Sequence, residues 1–152
     1  DMASGKITSE KAVRAYLKRI TAMDRKGPRL NSIIALNPQA IADARALDAE
    51  RKAGHVRGPL HGVPILIKDN VEVLGMPTTA GSLALKANDN GRDAPVAAAL
   101  RAQGAVILGK TNLSEWANMR SGRSMSGWSA VGGLTRNPYA LDRTTCGSSS
   151  GS

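Results

Sequence analysis

Between Thr8 and Gly27 the apolar residues Val13, Tyr16, Leu17, Ile20 and Met23 recur three or four positions apart, with Lys11, Arg14, Lys18 and Arg19 between them. That period predicts an amphipathic helix with one apolar stripe. Thr8 or Ser9 serves as its cap, Glu10 suits the first turn, and Gly27-Pro28 ends it. The stretch "LNSIIAL" (30–36) is short and apolar, and is expected to be extended. A second helix is expected over 37–54, with Asn37 as cap, Pro38 at the first helical position and Gly54 as stop. Ile65-Leu66-Ile67 follows a run of Gly and Pro and reads as a short buried strand that delivers Lys68 at its end. A third helix fits 93–104, with Asp93 as cap and Pro95 in the first turn, and "AVILGKT" (105–111) is another continuous apolar strand. Strand, helix, strand in that order marks an α/β unit with a parallel sheet. Residues 113–117 suggest a helical turn or two. From Ser121 to Ser152 the chain is rich in Gly and Ser, with little regular structure expected; such stretches are functional or disordered.

Composition narrows this picture modestly. A chain of 152 residues, 41% apolar, suits one domain with a sizeable core, built from Ala, Leu, Ile and Val because Phe is absent. The single cysteine, Cys146, excludes an internal disulfide and a cysteine metal cage. No apolar run approaches the ~20 residues of a membrane-spanning helix, so no membrane partner is expected. The compartment stays open. The net charge of +9 would suit nucleic acid, but Lys and Arg are scattered and lack interleaved stacking aromatics. No nucleic-acid partner is expected.

Four patterns carry candidate chemistry. "GAVILGKT" (104–111) satisfies the phosphate-loop expression G-x-x-x-x-G-K-[ST], yet its middle residues are those of a buried strand, whose N–H groups bond a sheet and not a phosphate. Nucleotide binding is therefore not expected. Lys68 has two readings. Either its ammonium reaches water or pairs with Asp69, or apolar surroundings disfavour the charge and leave an amine able to take a proton. The histidines, His55 and His61, sit at a helix end and in a turn, and no metal-ligand spacing occurs. Last, "TTCGSSSGS" (144–152) is either a flexible linker or a catalytic loop whose hydroxyls relay a proton. A proton-accepting lysine and a Gly/Ser loop are complementary parts of a hydrolase that works without histidine.

Together, "GPLHGVPILIKDN", "GAVILGKTNLSEWA", "GLTRNPY" and "CGSSSGS", in this order and spacing, resemble the N-terminal part of the amidase signature family. The wording of Gly109–Asn118 and of Ser126–Ser152 is especially similar to the bacterial peptide amidases of that family. The resemblance implies an α/β fold with a mixed central sheet covered by helices on both faces. It also implies hydrolysis of carboxamides, C-terminal peptide amides among them, through a Ser-cisSer-Lys triad, without metal or organic cofactor. Lys68 falls on the triad lysine and Ser148 on the serine that follows a cis peptide bond. The nucleophilic serine is implied to lie further along than Ser152, so residues 1–152 read as the first part of one amidase domain. In that part, 1–62 is a mainly helical lead-in and 63–152 begins the signature core. Alone it is expected to be inactive, its partner being the remainder of the same protein. The alternative is a non-catalytic role, as a fragment or as a subunit of an amidotransferase-type assembly. Substrate contacts are expected from the backbone of Gly122 and the hydroxyl of Ser124, in the irregular stretch before the loop.

Overall fold

Helix α1 runs from Ser9 to Ile20 in the computed structural model, which describes residues 1–152. Thr8 caps it, its hydroxyl accepting from the Lys11 N–H at 3.2 Å. A second cap comes from afar: the Asp48 carboxylate accepts from the N–H groups of Ser9 and Glu10 at 2.7 and 2.9 Å. Free amides at a helix start favour such an anion. Val13 is buried and Leu17 and Ile20 pack against the core, but Tyr16 and Met23 remain exposed. The helix continues through one wide turn, Thr21–Arg25. There the buried Asp24 accepts from the N–H and hydroxyl of Ser32 and sets the start of the next strand.

Two expected caps are corrected. Helix α2 spans Ala40–Lys52 and has no side-chain cap. Asn37 closes an Asx turn one step earlier, accepting from the Gln39 N–H at 2.9 Å, and its amide donates to the Ile107 carbonyl at 2.8 Å. Such local bonds compete with helix formation, so the helix begins after them. Helix α3 spans Pro95–Ala102, also without a side-chain cap. Asp93 instead accepts from the Leu74 N–H and from Arg101, both at 2.8 Å.

Strands β1 (Ile33–Leu36), β2 (Pro64–Lys68) and β3 (Val106–Thr111) form one sheet in the order β1-β3-β2. β2 lies parallel to β3, with α3 in the crossover, and β1 lies antiparallel. Central β3 is buried along its whole length. On one face Val106 and Leu108 pack with Val13, Ala40, Ala44 and Leu47 from α1 and α2. On the other, Ile107 packs with Ile67, Val73, Met76 and Ala97, the last from α3. The result is a mixed sheet flanked by helices on both faces. β1, within residues 1–62, is hydrogen-bonded to β3. No helix is long and apolar enough to cross a membrane.

The pairing of β2 with β3 carries one irregularity. Ile65 pairs with Ile107 but Leu66 pairs with Gly109, leaving Leu108 without an opposite residue. Strict alternation would put Lys110 on the face of Val106 and Leu108. The extra residue turns it to the face of Ile67 and Ile107.

The α1–α2 contact carries an exposed charge clamp, in which Glu10 bonds Arg14 and Arg45 at 2.8 and 2.9 Å. Hydrogen bonds from Arg45, then Arg14, lower the Glu10 carboxyl from 4.5 to about 2. The sign follows: the clamp's contribution is complete above pH 4.5 and is lost as pH falls toward 2. Carbon-detected NMR of Glu10 is expected to show this low midpoint at low salt. Because the site is exposed, the midpoint should climb toward 4.5 in molar salt; an unmoved midpoint would contradict the charge origin.

Candidate active site

Lys68 is the last residue of β2, and its side chain leaves the sheet toward the loop 145–152. Its Nζ donates to Ser148 Oγ at 2.8 Å, and the Gly147–Ser148 peptide bond is cis. The two residues are eighty positions apart, and the neighbours of β3 bring them together. The Ser148 carbonyl accepts from the Ser114 N–H at 3.0 Å, and the Gly151 N–H donates to the Asn112 carbonyl at 3.0 Å. The Thr111 and Ser152 hydroxyls lie 3.3 Å apart. So the Gly/Ser segment is tied to the end of β3, not strung out as a linker.

Glycine serves this loop by closeness rather than by turning. Neither Gly147 nor Gly151 has a positive φ. A Cβ at Gly147 would press on the hydroxyls of Ser114, Ser126 and Ser150; one at Gly151 would enter the Ser32 carbonyl and come within 2.7 Å of the Asn112 nitrogen. Gly151→Ala is therefore expected to destabilise the protein by about 1–3 kcal/mol, as overpacking does. A denaturant midpoint equal to that of the unsubstituted protein would refute this tight approach.

Asn112 was not singled out by sequence reasoning, though a polar residue directly after an apolar strand was the available signal. It is completely buried and knits the loops around the site. Its amide donates to the carbonyls of Asn31 and Gly133 and to the Thr135 hydroxyl at 3.0–3.1 Å, and its Oδ1 accepts from Ser129 at 2.7 Å. Ser129 belongs to the hairpin of β4 (Trp128–Ser129) and β5 (Gly133–Leu134), a small element within the Gly/Ser-rich stretch.

Asp69 does not pair with Lys68. Its Oδ1 lies 3.2 Å from the Nζ of Lys110, both side chains being hidden from solvent. Lys110 also donates to the Pro77 carbonyl and the Thr78 hydroxyl, each at 3.2 Å. Asp69 Oδ2 accepts from the N–H and hydroxyl of Thr79. Burial pushes the Lys110 ammonium below the usual lysine range, and Asp69 opposes that shift. Lys110 thus lies in a ladder strand with its charge engaged, and no phosphate loop exists at 104–111. Titration with ATP is expected to give no saturable binding; micromolar affinity lost in Lys110→Ala would overturn this.

His61 is buried as a bracket between α2 and the turn before β2. Its Nδ1 accepts from the Arg57 N–H at 3.1 Å, so Nε2–H donates to the Leu47 carbonyl at 2.9 Å. His55 and Cys146 are exposed, and no three His, Cys, Asp or Glu side chains converge as a metal-ligand set.

Beside the serine loop, a cavity of about 270 Å³ is lined by Glu115, Trp116, Asn118, Arg120, Ser124 and Met125, with Trp128. Trp116, Ala117 and Asn118 take left-handed φ values of 51°, 54° and 68°, so the expected helical turn is broken here. Asn118 bonds the Ser126 hydroxyl at 3.1 Å, which links the cavity wall to the surroundings of Gly147. Ser124 lines the cavity, its hydroxyl donating to the Ser121 carbonyl at 2.7 Å. Gly122 is exposed, has open space around it and does not line the cavity.

Comparison with known proteins accords with this geometry. Residues 11–152 match the family model described as Amidase. The solved peptide amidase of Stenotrophomonas maltophilia superposes with a TM-score of 0.97 at 55% identity, over 99% of this chain and 31% of that one. A putative amidase of Schizosaccharomyces pombe is 46% identical over 99% of this chain and 26% of its own length. A glutamyl-tRNA(Gln) amidotransferase subunit of Thermobifida fusca is 44% identical over 99% of this chain and 29% of its own length. The chain thus spans between a quarter and a third of the length of these relatives. With its mixed sheet, its serine loop and a family match that runs to Ser152, the chain belongs to the amidase signature family and is closely related to bacterial peptide amidase.

Proposed function

We propose that residues 1–152 are the N-terminal part of an amidase domain that hydrolyses carboxamide bonds, C-terminal peptide amides among them. Lys68 is the base, Ser148 the relay, and the nucleophile a serine outside these residues. The observation that carries the reading is the 2.8 Å contact of Lys68 Nζ with Ser148 Oγ, at the mouth of a sheet and with no histidine in contact. In the reaction the nucleophilic hydroxyl gives its proton to Ser148 as Ser148 gives its own to the Lys68 amine. The nucleophile attacks the carbonyl carbon, and collapse of the adduct expels ammonia or an amine, which takes the proton back through Ser148. Water then attacks the acyl-enzyme by the same route and releases the acid. The relay supplies both acceptor and donor, so the cycle calls for no cofactor.

Support for a peptide amide comes from the 55% identity to the Stenotrophomonas maltophilia enzyme and from the cavity at Ser124, where Trp116, Met125 and Trp128 offer apolar surface for an acyl side chain. Exposed Tyr16, Met23 and Leu66 border an apolar hollow of about 220 Å³ that we assign to the remainder of the same domain. The likeness to the Thermobifida fusca protein favours a second reading, in which the chain belongs to a subunit that releases ammonia within an assembly. The test is ammonia release from peptide amides by the complete protein carrying this chain. Saturable hydrolysis without other subunits supports the amidase. Turnover only with partner subunits and a tRNA-bound substrate moves the assignment to the amidotransferase, and no turnover in either assay sinks both.

A further inference from the structure

Lys110 is the largest side chain wholly hidden from solvent, and the proposed reaction leaves it without a task. Resting on the amidase reading, we propose that the buried Asp69–Lys110 pair is a positioning device for Lys68. Lys110 occupies the carboxylate that follows the base in sequence, so the Lys68 amine is left to Ser148.

The geometry supports this in three steps. First, Asp69 is the anion nearest to Lys68 along the chain, and an opposite charge beside a lysine favours the ammonium, the form that cannot accept a proton. Alternation along β2 sends Lys68 and Asp69 to opposite faces, but a carboxylate without another partner would still be the strongest local attraction for that amine. Second, Lys110 reaches Asp69 only because of the extra residue at Leu108. Without that shift it would face α1 and α2. Third, both charges are locked to one turn. The Asp69 N–H donates to the Thr111 carbonyl at 3.2 Å and its carbonyl accepts from Ala80 at 3.1 Å. Lys110 binds Pro77 and Thr78, and Asp69 binds Thr79.

Carboxylates of the neighbouring segments are engaged elsewhere. Glu72 bonds Arg92 and Asn90, Asp93 bonds Arg101, and Glu115 accepts from the Ala130 N–H. On its own face Lys68 meets Ser148, with Thr111 and Ser152 alongside and Cys146 turned to solvent. Lys110 is therefore the one cation opposite Asp69, and burial alone would disfavour its charge.

The test measures kcat and KM against pH in the complete enzyme for Lys110→Met, Asp69→Asn and the double variant. Lys110→Met is expected to lower kcat at neutral pH by about tenfold or more, to leave KM within about twofold, and to move the acid limb of kcat toward higher pH. In the Asp69→Asn background the same Lys110→Met change is expected to leave the limb where it is, because no carboxylate is left to release. Lys110→Arg, which keeps a cation, is expected to recover much of the loss. An unmoved limb in a folded Lys110→Met enzyme, or an equal shift in both backgrounds, overturns the proposal. Should Lys110→Met not fold, the double variant decides. Folded, with its limb at the wild-type position, it supports the proposal; unfolded, or folded with a shifted limb, it counts against it. Unsubstituted and Lys68→Ala enzymes run alongside. If the unsubstituted enzyme shows no Lys68-dependent hydrolysis, the amidase reading fails, not the role of the pair.

Discussion

Replacing Lys68 by alanine in the complete enzyme is expected to lower kcat by about 10²–10⁴-fold with little change in KM, the range that positioned proton acceptors contribute. Lys68 touches Ser148 and lies at a strand end, so on the proposed mechanism truncating it would remove proton transfer without opening the core. Ser148→Ala is expected to be similarly damaging, because Ser148 is the group that the Lys68 amine meets. Groups that act as one relay are far from additive, so the double variant should be little worse than the more damaged single one. Steady-state kinetics on one peptide amide decides this. A Lys68→Ala enzyme that keeps most of its kcat/KM would remove the lysine from the mechanism.

Lys110→Ala is expected to destabilise the protein by about 3–5 kcal/mol, the penalty for leaving a buried charge without its partner. Replacing both members by apolar residues of similar volume should be far milder, since the desolvation of two ions is then avoided as well. Denaturant midpoints for the two single variants and the double one measure the difference. If the double variant falls by the sum of the singles, the pair is not coupled. The pH dependence has a definite sign. Burial lowers the Lys110 ammonium from its ordinary 10.5, so between its folded value and 10.5 the unfolded chain binds the additional proton. The contribution of this group to stability therefore rises with pH across that window and is constant above it. The unsubstituted protein should gain on the double variant as pH climbs toward 10.5.

The Lys110 case shows how far the residues alone could be read. "AVILGKT" is continuous and apolar, which was enough to place a buried strand there and to reject a phosphate loop, because β3 bonds its neighbours on both sides. The destination of the lysine side chain was beyond reach. It depends on a one-residue register shift between β2 and β3, which no single segment encodes. Adjacency makes Asp69 a candidate partner for Lys68; the same shift assigns it to Lys110 instead. The caps at Asn37 and Asp93 were misplaced as well. Both side chains had the right chemistry for a helix start, but the Asn37 oxygen is held in a local turn with Gln39, and Asp93 bonds Leu74 and Arg101 instead.

Helices, strands and the parallel β2-α3-β3 unit were determined by the sequence itself, because periodicity and Gly/Pro breaks act over a few residues. Local pattern left Lys68 with two readings; the candidate roles of Lys68 and Ser148 were implied by the family resemblance of short motifs in a fixed order. Only the tertiary structure decided that the hydroxyl-rich segment docks on β3 and that Lys68 meets Ser148 across eighty residues. It also decided that Gly147 and Gly151 are needed for close contact, that Ser124 lines a cavity while Gly122 does not, and that Asn112 ties Asn31 to the β4–β5 hairpin. Each of these depends on atoms far apart in the chain meeting within a few ångströms. Local patterns set which residues are available for such meetings; the packing of helices on both faces of one sheet sets which of them occur.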